Sequence, residues 1–281
     1  MYRIGKVLNH NAVLAVNAED GKQYLLMGKG IGFGKKVSER VEPGEDSRIY
    51  TLQACEERGN ADEIVKTIDP EFLEISNLVL DEAEKVFGHI DRNILFPLAD
   101  HLYYAVERIK KHEQISNPLT EDIRILFHME YKAASCVVPV LEQKFGITIG
   151  DDEVGYIALH VHSAIDDDKV SDAMKTARAV RECIEIVENA MGKRIDVMTL
   201  SYNRLMNHVR YMIVRALSGE KLKMSLNDYM SVKYPEEFAM AEKICEQIGK
   251  TIGCTLKDAE IGYLAMHICR VTSGELDSDE E

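Results

Sequence analysis

The sequence predicts a multidomain α+β protein, with a small four-stranded antiparallel β domain at the N-terminus followed by two homologous all-α helical bundles. Three observations carry that expectation. Short apolar runs broken by turn residues fill about the first 55 positions. Beyond about residue 60, apolar residues recur at spacings of three and four. Within that helical part, Glu153-Val-Gly-Tyr-Ile-Ala-Leu-His160 returns as Glu260-Ile-Gly-Tyr-Leu-Ala-Met-His267, with five of eight positions identical and the other three apolar in both copies. The expected domains are 1–58, 62–169 and 170–275, with an acidic tail over 276–281. A chain of 281 residues accommodates several such units, at roughly 100–200 residues per domain.

Tyr2 to Leu8 reads as the first strand, Val13 to Val16 as the second and Gln23 to Met27 as the third. Asn9-His10-Asn11 and Glu19-Asp20-Gly21 are the turn signals between them. Arg48 to Leu52 is a weaker fourth strand. Such short connections leave no room for crossover helices, so the sheet should be antiparallel. A domain this small buries little surface, and oligomerisation would help to hold it together. The run Gly28-Lys29-Gly30-Ile31-Gly32-Phe33-Gly34 has a glycine at every second position. It is not the G-x-G-x-x-G dinucleotide fingerprint, because Phe33 stands where the third glycine belongs. Two readings remain: a twisted strand or bulge with glycines for backbone reasons, or a loop whose bare backbone lets a ligand approach.

The first long helix is carried by Phe72, Ile75, Leu78, Val79, Ala83 and Val86, and Pro70 followed by Glu71 and Glu74 suits its start. Further helices are expected at 91–112, 130–145 and 151–165. Asp166-Asp167-Asp168-Lys169 breaks the pattern, and helices resume from about 171. The offset of 107 that relates the two octapeptides also relates Glu130 to Glu237, Gly146 to Gly253, His101 to His208 and Arg108 to Arg215. Each copy therefore has its own pair of histidines, 59 residues apart.

Composition narrows the function. The residues are 46% hydrophobic and 29% charged, and no run reaches the roughly 18–20 apolar residues of a membrane span, so no membrane insertion is expected. The first residues have no long apolar core behind them, which argues against a secretory signal and for a cytoplasmic protein. The six cysteines form no C-x-x-C pair, so neither a zinc ribbon nor a thioredoxin motif is available, and reduced thiols are expected. The net charge of −14 argues against nonspecific polyanion binding by the whole molecule. Residues 1–36, however, hold six Lys and Arg against two acidic residues, a hint of nucleic acid at the front of an acidic body.

The histidines have a bland reading and a chemical one. A repeated histidine is often a core residue hydrogen-bonded in both copies. Here Arg108 and Arg215 lie seven residues after His101 and His208 on the same helical face, and Glu153 and Glu260 lie seven before His160 and His267. An imidazole beside a cation or carboxylate serves as a phosphate acceptor, a base or a ligand. Metal chemistry fits poorly. His160-x-His162 has an i,i+2 spacing whose side chains diverge on a helix, and His112-Glu113 starts like a zincin motif but lacks the second histidine. No Walker A or G-x-S-x-G motif occurs, so neither a cofactor nor a metal is expected. In the front domain Lys29, Phe33, Lys35 and Lys36 interleave cations with an aromatic ring, a set suited to phosphates and a splayed RNA base. The amides of Asn9 and Asn11 fall on one side if the segment is extended, where they either read base edges or cap a turn.

Lys6-Val-Leu-Asn9-His-Asn11, then Met27-Gly-Lys-Gly-Ile-Gly-Phe33-Gly-Lys-Lys36, resemble the N-terminal co-antiterminator RNA-binding domain of the BglG-type transcriptional antiterminators. The duplicated helical module resembles the tandem phosphotransferase-system regulation domains (PRDs) that follow it in this family. The resemblance covers nearly the whole chain. It implies a non-enzymatic regulator whose β domain dimerises and binds an RNA hairpin in a nascent leader transcript. Binding would prevent an overlapping terminator hairpin, so that polymerase continues into sugar-utilisation genes. Carried over residue by residue, it implies RNA contacts at Lys6, Asn9, Asn11, Gly28, Lys29, Gly30 and Phe33, and phosphorylation at His101, His160, His208 and His267. The implied partners are the carrier HPr and a sugar-specific enzyme II, with inhibition through the first module and, in many members, activation through the second. One departure is that Asp100 precedes His101 whereas Asn207 precedes His208. Two alternatives compete. A DNA-binding activator with the same modules would need a helix-turn-helix where residues 1–55 read as strands. A histidine-based metal hydrolase on the duplicated bundle would need a bound metal.

Overall fold

The computed structural model describes residues 1–44, 46–52, 60–166, 169–196 and 199–273. The acidic tail expected over 276–281 lies outside the described residues. The chain divides into two compact units, Met1–Val170 and Ser171–Glu281.

The first unit opens with β1 (Tyr2–Asn9), β2 (Ala12–Asn17) and β3 (Gln23–Met27), followed by the two-residue β4 (Arg40–Val41) and β5 (Arg48–Thr51). They form one antiparallel sheet in the order β4-β1-β2-β3-β5. The four expected strands are present, and the short β4 makes a fifth by pairing Val41 with Tyr2 and Arg40 with Arg3. Arg40-Val41 has no alternation of its own to read; the free edge of β1 recruits it. One face packs Ile4, Val13, Ala15, Leu26 and Val41 with Tyr2, Val7, Tyr24 and Ile31. Leu14, Leu25 and Tyr50 on the other face are buried too, so β2 reads as a continuous apolar run rather than an alternation. Register shifts interrupt the β1–β2 ladder between Ile4 and Lys6 and between Val7 and Asn9.

The glycine run is neither strand nor bulge. It forms consecutive turns after β3, with Gly30 and Gly34 at positive φ of 72° and 66°. Gly32 has a steric reason of its own: a Cβ there would stand 2.2 Å from the Asn9 carbonyl oxygen.

The same unit continues with α1 (Ala61–Thr67), α2 (Pro70–Phe87), a 3-10 turn (Arg92–Ile94) and α3 (Leu95–Lys110). Pro70 occupies the first turn of α2, whose N-cap Asp69 accepts from the Glu71 N–H. Then come α4 (Thr120–Leu126), α5 (His128–Ala134), α6 (Val137–Phe145) and α7 (Asp151–Asp166). The helix expected over 130–145 is broken at Ser135-Cys136. Pro139 explains this, because its ring clashes with the carbonyl four residues back and it has no N–H to donate. α2 packs on α3 and α5, and α7 on α4 and α5.

The second unit holds all but the first residue of α8 (Val170–Met191), then α9 (Leu200–Ser218), α10 (Asn227–Lys233), α11 (Pro235–Ile252) and α12 (Ala259–Ser273). Shifted by 107 residues, α4 coincides with α10, and α5 plus α6 coincide with the single helix α11. The position of Pro139 is Glu246 there, so nothing breaks the helix. Both copies stop at a left-handed glycine, Gly146 with φ 65° and Gly253 with φ 75°.

Candidate RNA-binding face and histidine pairs

Two kinds of site stand out: a polar corner of the β domain, and a histidine pair in each helical bundle. The corner is built by lacing the β1–β2 turn to the glycine loop. Asn9 Oδ1 accepts from the Asn11 N–H at 2.8 Å, which closes the turn. Asn11 Oδ1 accepts from the Gly30 N–H at 2.9 Å. The Asn11 and His10 carbonyls accept from the Gly28 and Gly32 N–H groups, both at 2.9 Å. Asn9, Asn11, Gly28, Lys29 and Gly30 are thereby brought together. Phe33 closes the loop with 69% of its surface exposed, its ring edge-on to His10 at 5.2 Å. Lys6 lies exposed on β1, opposite Leu14. Asn9 and Asn11 do share a side, through the turn and not through an extended strand. Gly32 and His10 belong to this corner as well. Gly32 is the third glycine of the run and His10 the middle of the Asn9-His10-Asn11 turn signal, although the sequence by itself assigns neither a role.

Both amides are already engaged. Asn9 Nδ2 donates to Glu74 Oε1 at 2.6 Å, and Asn11 Nδ2 lies 3.4 Å from both oxygens of the same carboxylate. Glu74 projects from α2 of the first bundle. Farther along α2, Arg48 Nη2 from β5 donates to Glu84 at 2.7 Å, and the Tyr50 hydroxyl donates to Asn77 Oδ1 at 2.6 Å. Arg92 joins this seam by donating to Glu84, Asn77 and Asp81 at 2.7–2.9 Å. A groove of about 540 Å³ runs between Gly28 and Lys29 on one side and Glu74, Asn77 and Asp81 on the other.

In the first bundle, α3 presents His101 and α7 presents His160, with ring centroids 5.3 Å apart. His101 Nε2 lies 3.1 Å from Glu153 Oε2, off-line for a hydrogen bond, while Arg108 donates to Glu153 Oε1 at 2.8 Å. Glu153 is only 4% exposed. Burial alone would raise its carboxyl, but the neighbouring His101 and Arg108 side chains outweigh that effect and hold it below the usual range. Breaking such a pair from one side leaves a buried charge, typically at a cost of about 3–5 kcal/mol. Burial, assisted by the neighbouring His101, pushes the pKa of His160 down to about 3. Part of its surface reaches solvent, but its Nδ1 has no partner.

The second bundle repeats the arrangement with α9 and α12. His208 and His267 stack with centroids 4.5 Å apart and an interplanar angle of 27°. Arg215 donates from Nε and Nη2 to both oxygens of the buried Glu260, each at 2.8 Å. Burial depresses His208 to about 3, with His267 and Arg215 adding to the effect. His267 is pushed down to about 4 by burial and by Arg270 and Arg204. The bundles differ in one contact: Glu153 touches both His101 and its arginine, whereas the arginine takes both oxygens of Glu260. At neutral pH these depressed imidazoles carry a lone pair and no charge, with a guanidinium nearby. That is the chemistry of an acceptor for an electrophilic phosphoryl group. Among the described residues no cluster of three or more His, Cys, Asp or Glu has the geometry to hold a metal ion.

The CAT RNA binding domain family matches residues 2–58, and the PRD domain family matches residues 61–164 and 181–271. The chain belongs to the family of RNA-binding transcriptional antiterminators of sugar operons that join a CAT domain to two PRDs, the regulatory domains of the phosphotransferase system. Among its relatives, Protein GlcT of Staphylococcus epidermidis is 30% identical over 95% of both chains. The GlcA/glcB genes antiterminator of Staphylococcus carnosus is 28% identical over 96% of both, and the beta-glucoside operon antiterminator of Dickeya chrysanthemi 27% over 96% of this chain and 97% of its own. The crystal structure of GlcT CAT-PRDI, 30% identical, superposes with a TM-score of 0.51 over 59% of this chain and 98% of that one.

Proposed function

We propose that this antiterminator grips a leader-transcript RNA hairpin through Lys6, Asn9, Asn11, Gly28, Lys29, Gly30 and Phe33, and that His101, His160, His208 and His267 accept phosphoryl groups. HPr and a sugar-specific enzyme II are the donors. The working form is a cytoplasmic homodimer, and the chain catalyses no turnover of its own. Its domains are 1–58 for RNA, 62–169 and 170–275 for regulation. The observation that carries the RNA reading is the lacing of Asn11 to Gly28 and Gly30 beside the exposed Phe33 ring. Backbone, amide and aromatic face meet at one corner, as the reading of an unpaired loop requires. The phosphoacceptor reading is supported by the recurrence in both bundles of two adjacent imidazoles beside a Glu–Arg pair.

RNA binding is tested with hairpins of randomised loop selected on the full chain. Asn11→Ala and Phe33→Ala should each weaken binding about tenfold or more, and Lys22→Ala less than about threefold, since one base–aromatic stack is worth about 1–3 kcal/mol. Affinity should fall as salt rises. Equal binding to duplex DNA of the same length, or insensitivity to both substitutions, would reject this reading.

A further inference from the structure

We propose that the face of α2 carrying Glu74 is a docking surface that competes with RNA for the β domain, so that a PRD helix covers the RNA-reading amides directly. The inference rests on the assignment of Asn9 and Asn11 to the RNA site.

The geometry supports it at three points. First, the occupied groups are the specific ones. Asn9 and Asn11 donate to Glu74, while Lys6, Lys29 and Phe33 stay exposed. Each amide hydrogen that a carboxylate accepts is withheld from a base edge or phosphate. Second, the mask and the RNA exclude each other. Glu74 stands 2.6 Å from Asn9 Nδ2, and a phosphate brought to that amide would meet a like charge within a few ångströms. Third, the contact is one end of a seam. Arg48 pairs with Glu84 and with Asp81, and Tyr50 bonds Asn77, all on the same helix. These three residues lie three, seven and ten positions along α2 from Glu74, the spacing of one helical face. The seam anchors α2, and Glu74 at its other end reaches the RNA corner.

The arrangement separates encounter from reading. A transcript is attracted electrostatically to the exposed lysines and stacks on Phe33, and it gains the asparagines only when α2 withdraws. RNA and the seam are then linked: whatever loosens α2 raises RNA affinity, and bound RNA loosens α2. The acidic helix serves as an internal counterfeit of the polyanion.

Glu74→Gln and Glu74→Ala in the full chain test this, with binding to the selected hairpin read by fluorescence anisotropy and the fold monitored by circular dichroism. Glu71→Gln, one turn away in sequence but outside the seam, removes the same charge and serves as the control. We expect Glu74→Ala to tighten binding about tenfold, Glu74→Gln to tighten it by a smaller factor, and Glu71→Gln to stay within about twofold. Tenfold corresponds to about 1.4 kcal/mol. Equal gains from Glu71→Gln and Glu74→Gln would assign the effect to overall charge and overturn the mask. Asn11→Ala separates the two levels. If it weakens binding while both Glu74 variants bind like the parent, the RNA site stands and the mask is wrong. If Asn11→Ala and the Glu74 variants are all silent, the asparagines leave the RNA site and the inference falls with that assignment.

Discussion

A depressed histidine is the smallest unit of this molecule with a measurable consequence. His208 has a folded pKa of about 3 against an ordinary value near 6.5, because burial and two neighbouring bases disfavour its cation. The unfolded chain therefore binds a proton that the folded chain refuses. Stability is fully present above about pH 6.5 and is lost as pH falls toward the folded pKa. Between about pH 7.5 and about pH 5, one such histidine accounts for at most about 2 kcal/mol. Urea midpoints should fall on acidification over that range, and His208→Gln should flatten the dependence. An equally steep fall in the variant would refute the assignment. The same depression keeps the imidazole neutral and nucleophilic at the pH of the cell.

At the scale of elements, the duplication is a controlled experiment in helix continuity. The two copies share their helix order and their terminal glycines, yet α5 and α6 are two helices and α11 is one. Pro139 against Glu246 is the difference that accounts for it. Glu246→Pro should cost the second unit about 3 kcal/mol, since the ring would clash with the Glu242 carbonyl inside an unbroken helix. Thermal melting followed by helical circular dichroism measures this directly. A loss below about 1 kcal/mol would show that α11 bends at no cost and that Pro139 is not the cause of the break. Sequence periodicity had marked 130–145 as one helix because it counts apolar residues and is blind to a single missing N–H. It had missed β4 for a related reason: two residues have no period, and only the open edge of β1 makes Arg40-Val41 a strand.

For the whole molecule, the proposed sign of regulation rests on charge. The body of the chain is acidic, and a phosphohistidine adds roughly two negative charges. Phosphate on His101 would stand beside Glu153, which already sits 3.1 Å from its Nε2, and would compete with it for Arg108. On the proposed inhibitory role of the first bundle, such a rearrangement would bias it toward the form that does not support RNA binding. A tenfold shift of population needs about 1.4 kcal/mol, within reach of one phosphate. His101→Ala combined with His160→Ala should give antitermination of a reporter without inducer. Replacing His208 and His267 should lower activity or leave it unchanged. A first double variant that stays fully repressed with its β domain folded would contradict an inhibitory first bundle.

The sequence by itself determined what is local or repeated. Alternation and turn residues place the strands, the 3.6-residue period places most helices, and the 107-residue offset pairs the histidines with their arginines and glutamates. Those features repeat within a helical turn or a strand pleat, so the residue order carries them. Only the tertiary structure decided who faces whom across long separations. Arg108 meets Glu153 from 45 residues away, and Glu74 meets Asn9 from 65. Glu74 read as an ordinary acidic residue in the first turns of a helix, which it also is. No local pattern says that its carboxylate faces the asparagines of another domain, because that contact is set by the packing of α2 against the sheet.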